Sequence, residues 1–110
     1  MASGLTYIAE FPDVGFIGRS GKSDVMCLQE PTTVQVIGTS SNLAAVQTSV
    51  FASSTLAVRV HNDGTNATCI AFGTNPTAAS SNSLRIAANG TEYFAVPTGG
   101  AHKLSAVFVT

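Results

Sequence analysis

A chain of 110 residues is long enough for one hydrophobic core and too short for two, so it reads as a single domain spanning 1–110. Charged side chains make up only 10% of it, and the formal net charge is −1. With Arg19, Lys22, Arg59, Arg85 and Lys103 scattered along the chain, no basic face forms of the kind that nucleic acid requires.

Hydrophobic residues account for 45%, so the surface must be covered largely by Ser, Thr, Asn, Gly and Ala. Neutral hydroxyls and amides lose less on leaving water than ammonium or carboxylate groups do, and such a surface favours contact with other proteins. No apolar run approaches the roughly 20 residues of a bilayer-crossing helix. The opening Met-Ala-Ser-Gly-Leu-Thr-Tyr has no charged segment followed by an apolar one, so the expectation is a soluble protein made in the cytoplasm, with no membrane partner. Without a secretory route, the sequon matches at Asn66 and Asn89 carry no weight.

The chain opens with a strand expected over Leu5 to Phe11. Residues 1–23 hold Leu5, Tyr7, Ile8, Phe11, Phe16 and Ile17, many large apolar groups ahead of the clearest strands. Either they lie in the chain's own core or they form an extended N-terminal arm whose apolar side chains bury in a partner; on the arm reading residues 1–18 can be removed without unfolding the domain. Asp13 to Ser23 resists strand assignment, as does Gly38 to Ser41. Val25 to Leu28 and Thr32 to Ile37 each suit a strand. Residues 42–48 fit either a short helix capped by Asn42 or the start of a strand over Val46 to Phe51.

Alternation sharpens from Thr55 onward. Leu56, Val58 and Val60 point one way, with Thr55, Ala57 and Arg59 opposite; Ile70 and Phe72 share a face of the next run, Thr68 to Phe72. Asp63-Gly64 between them predicts a hairpin, and Asn89-Gly90 between Leu84 to Ala88 and Thr91 to Val96 predicts another, closed by a type I′ turn. Gly73 to Ser83 reads as a projecting polar loop. A last strand runs over Leu104 to Val109. Eight or nine short strands of this kind predict an all-β, single-domain antiparallel β-sandwich or jelly roll.

Chemistry-bearing motifs are sparse. Gly18-Arg19-Ser20-Gly21-Lys22-Ser23 ends like a phosphate-binding loop, but the glycine required five residues before Gly21 is Phe16, and Asp24 to Leu28 reads as a strand where a helix is needed. His61, Asp63 and His102 flank turns and make at most a poor metal site. No serine elbow and no paired carboxylates stand out, so neither catalytic residues nor cofactors are expected. Cys27 and Cys69 lie among apolar neighbours and are read as buried thiols, with a disulfide between them as the alternative.

Three segments together resemble small virion proteins of tailed bacteriophages and prophages. They are Cys69-Ile70-Ala71-Phe72-Gly73-Thr74-Asn75-Pro76-Thr77-Ala78, then Gly90-Thr91-Glu92-Tyr93-Phe94-Ala95-Val96-Pro97, then His102-Lys103-Leu104-Ser105-Ala106. The resemblance covers the chain from Thr55 onward and implies a capsid decoration (cement) protein that bridges major capsid protein subunits on the virion surface. It fits a homo-oligomer, dimer or trimer, and on this reading Leu5, Tyr7, Ile8, Phe11, Phe16 and Ile17 are the partner-binding residues. The alternatives are a tail-associated carbohydrate- or receptor-binding module, for which Asn62, Asp63 and Asn66 come nearest to a site, and a head–tail connector component.

Overall fold

The computed structural model describes residues 4–12, 14–17, 25–28, 31, 33–39, 45–80, 83–97 and 101–109. Ten strands and no helix occur among them: β1 (Gly4–Phe11), β2 (Val14–Ile17), β3 (Val25–Leu28), β4 (Thr33–Thr39), β5 (Val46–Gln47), β6 (Ala57–Asn62), β7 (Thr68–Gly73), β8 (Leu84–Ile86), β9 (Thr91–Ala95) and β10 (Lys103–Phe108). The expected all-β architecture is what forms. One antiparallel sheet has the order β4-β1-β6-β9, a second has the order β5-β10-β7-β8, and β2 and β3 pair only with each other as a separate ribbon.

The period-two pattern sorts each strand into a face that meets the other sheet and a face that does not. Ile8, Ile37, Val58, Val60 and Val96 from the first sheet and its margin meet Ile70, Ile86, Leu104 and Ala106 from the second, with Phe51 among them, in a single core. Phe72 and Phe94 pack against it as a tilted pair with ring centroids 5.2 Å apart. The core thus lies between two sheets, and burying it requires both.

Two polar residues also point inward and hold the connections. Glu10 is buried; its carboxylate accepts from the Ala52 amide (2.8 Å), the Thr55 hydroxyl (2.8 Å) and the Gln35 side-chain amide (2.9 Å), pinning the segment before β6 to the first sheet. Asn62, at the end of β6 and fully buried, accepts from the Gly64 amide (2.9 Å) and donates to the carbonyls of Asn66 (2.8 Å), Ala87 (3.2 Å) and Ile86 (3.3 Å). One side chain therefore ties together the β6–β7 and β8–β9 connections.

Neither connection is the hairpin expected from sequence. β6 pairs with β1 and β9, while β7 pairs with β10 and β8, so Asp63-Gly64 carries the chain from one sheet to the other. Asn89-Gly90 does the same between β8 and β9. A type I′ turn needs positive φ at both central residues. Here the Gly90 amide donates to the Ala87 carbonyl (2.8 Å), the central residues are Ala88 and Asn89, and only Asn89 has positive φ, 58°.

The N-terminal stretch is not an arm over residues 4–11. β1 is an interior strand, paired with β4 from Gly4↔Thr39 to Glu10↔Thr33 and with β6 from Thr6↔Asn62 to Phe11↔Ala57. β2 arises within the stretch that resisted assignment and pairs with β3, from Val14↔Leu28 to Ile17↔Val25. Of the segment that fitted either helix or strand, Val46–Gln47 is strand and 42–44 lie outside the described residues.

Candidate interaction surface

The two sheets treat their outer faces differently. On the second sheet, Cys69 and Val107 point away from the core, yet both are buried, because the segment after β7 folds back over them and packs Ala78 against them. The Ala78 amide donates to the Ser105 hydroxyl (3.0 Å), and Gln47 donates to the Pro76 carbonyl (2.6 Å). The expected projecting loop is therefore a cover over residues 74–80, made possible by side chains small enough to lie flat on a strand surface. Cys69 is a free thiol beneath it; the side chain of Cys27 lies outside the described residues.

Among the described residues no such segment is seen over the first sheet, although Ala9 and Phe11 on its outer side are buried, and its outer face can be read from the register. One row runs Val36, Tyr7, His61, Thr91; the next runs Val34, Ala9, Arg59, Tyr93; Gly38 and Leu5 flank them on one side and Phe11, Ala57 and Ala95 on the other. Val34 is 53% exposed, Tyr93 52%, Val36 48% and Leu5 40%. Arg59 is the one charged residue in these rows. Tyr7 stands beside His61 with ring centroids 6.5 Å apart, and His61 Nδ1 is 2.8 Å from the Thr91 hydroxyl, so the polar groups at the centre of the face are already partnered. The result is a flat, largely apolar, nearly uncharged surface that costs little to desolvate.

Of the six residues expected to bind a partner, the side chains of four are described. Leu5 and Tyr7 lie on this face. Ile8 faces the opposite way with no exposed surface, part of the protein's own core, because alternation along β1 sends it inward. Phe11 is also buried and offers no ring to a partner. Phe16 and Ile17 belong to β2, and their side chains lie outside the described residues. Val34, Val36 and Tyr93 were missed. For the valines the signal is that Val34 and Val36 share one face of β4 while Ile37 lies on the other, so apolar groups occur on both, but which face is buried becomes clear only once the pairing partner is known.

Of the other candidates, the Gly18 to Ser23 motif lies outside the described residues, and the element that follows it is the strand β3, as expected. No group of three or more His, Cys, Asp or Glu able to hold a metal ion occurs among the described residues. Asn62, weighed for a sugar site, is buried and fully occupied with backbone groups. No helix among the described residues is long and apolar enough to cross a membrane. Comparison with known proteins finds no matching family model, no matching curated protein and no matching solved structure.

Proposed function

We propose that this protein is a structural component of a bacteriophage virion that decorates the capsid by bridging major capsid protein subunits. The observation that carries the binding part of this reading is the unequal treatment of the sheets: one outer face is covered by the chain's own segment, while the other exposes Leu5, Val34, Val36 and Tyr93 around a single charged residue, Arg59. A surface of that kind suits a flat protein partner better than a solute. The choice of a phage shell as the partner rests on the resemblance over Cys69–Ala78, Gly90–Pro97 and His102–Ala106.

The strand order supports the jelly-roll form of the sandwich. In a jelly roll the strands B to I divide into sheets ordered BIDG and CHEF. Setting the β2–β3 ribbon aside and naming β4 to β10 as B to H, the second sheet reads C-H-E-F, and the first reads B-I-D-G with β1 in the place of I. This is the order of a circularly permuted jelly roll, in which I is joined to B through the ribbon and the chain is opened between H and I. Consistent with that opening, a β-carbon built on Gly4 at the start of β1 would lie 3.1 Å from the Phe108 ring at the end of β10.

The test is reconstitution. Purified protein added to heads that lack it should fill a fixed number of sites per shell, and Tyr93→Glu, which places a carboxylate on the exposed outer face without touching the core, should lower occupancy at least tenfold. Wild-type protein that binds no phage head, or Tyr93→Glu protein that binds at full occupancy, overturns the reading.

A further inference from the structure

We infer that the protein forms a two-fold dimer by pairing β4 with β4 of a second copy, joining the two first sheets into one continuous sheet. This inference stands apart from the capsid reading, because it rests on the β4 edge of the first sheet, where no strand but β1 pairs among the described residues, and is tested in solution without any shell.

Edge strands present unpaired backbone N–H and C=O groups, and proteins guard them with short length, charge, proline or a cover. Three of the four edges of the two four-stranded sheets are guarded in that way. β5 has two residues; β8 has three, including Arg85; β9 carries the exposed Glu92 and runs into Pro97 two residues past its end. β4 is different: Thr-Val-Gln-Val-Ile-Gly-Thr, seven residues without a charge or a proline. Among the described residues only β1 pairs with it.

The occupant that fits is the strand itself. Antiparallel pairing centred on Val36 sets Val36 against Val36 of the second copy, Val34 against Gly38, Gln35 against Ile37, and Thr33 against Thr39. No charge opposes another in this register. Leu5 is paired with Gly38, and its Cδ2 would lie 3.2 Å from a β-carbon built there, so Leu5 leans over the space the glycine leaves. Across the two-fold axis that places Leu5 beside Val34 of the second copy. The outer row then runs Tyr7, Val36, Val36, Tyr7 without a break, and the exposed valines gain apolar neighbours.

Sedimentation equilibrium over the micromolar range reads the mass directly. Wild-type protein is expected to shift from one to two chains as its concentration rises, with amide exchange across Thr33–Thr39 slowing in parallel. Val36→Lys, exposed in the monomer but set against its own copy at the dimer centre, is expected to remain a monomer at every concentration, while Tyr93→Glu, on β9 at the opposite edge of the sheet and three strands from β4, still dimerises. A wild-type protein that stays monomeric, a Val36→Lys variant that still associates, or association abolished by Tyr93→Glu and not by Val36→Lys overturns the inference. Should Val36→Lys fail to fold, exchange at Thr33–Thr39 that does not depend on wild-type concentration overturns it equally.

Discussion

Asn62 shows how much of this fold hangs on single polar groups. Its amide serves two connections that cross between the sheets, and both lie where no strand ladder can satisfy the backbone. Replacing it with Leu keeps the volume and removes every one of those hydrogen bonds, leaving the buried Gly64 amide without its acceptor. Asn62→Leu is expected to destabilise the protein by about 3 kcal/mol, read as a lower urea midpoint at unchanged slope. A loss below about 1 kcal/mol would mean that packing alone holds these connections. Gly64 beside it is required for a different reason. A β-carbon there would come within 2.6 Å of the Phe108 ring, which is fully buried and has nowhere to go. From sequence, Asp63-Gly64 signals only that the chain turns. It is the contact with Phe108, more than forty residues later, that explains the glycine.

At the level of elements, the strands themselves were largely legible and their partners were not. Expected and observed limits for β1, β3, β4, β7, β9 and β10 agree to within two residues at each end, because alternation is a local property of burial on one face. Pairing is non-local: whether β6 turns back onto β7 or crosses to another sheet depends on which arrangement covers both inner faces, and nothing in Asp63-Gly64 encodes that choice. β2 escaped notice because four residues with Gly15 among them show no useful period. The segment over residues 74–80 was misread for a related reason, since small polar residues describe a mobile loop and a close-fitting cover equally well. Its attachment can be tested through Cys69. Ser105→Ala leaves the buried Ala78 amide without its acceptor and should cost about 2 kcal/mol against local opening of the cover. Alkylation of Cys69, followed by mass spectrometry on its own peptide to separate it from Cys27, should then accelerate by roughly twentyfold to thirtyfold. An unchanged rate would show that the hydroxyl does not hold the cover down.

For the molecule as a whole, the N-terminal stretch expected to act as one arm divides into two parts with opposite roles. Residues 4–11 are an interior strand whose loss would strip β4 and β6 of their shared neighbour and expose Val58 and Val60, so removing residues 1–18 unfolds the protein. The ribbon β2–β3 is another matter, since it pairs with neither sheet, and β1 and β4 are already antiparallel neighbours with Glu10 opposite Thr33. In that register Phe11 and Thr32 would form the next pair, so residues 12–31 can be replaced by Asn-Gly as a two-residue hairpin turn. The shortened chain is expected to unfold in a single cooperative transition by circular dichroism, whereas the protein lacking residues 1–18 shows none. If the shortened chain is also unfolded, the ribbon belongs to the core after all. If it folds, it isolates the contribution of the ribbon, Phe16 and Ile17 included, to attachment. Binding to heads at unchanged occupancy would place attachment on the sheet face with Leu5, Tyr7 and Tyr93, and loss of binding by a folded shortened chain would place it on the ribbon.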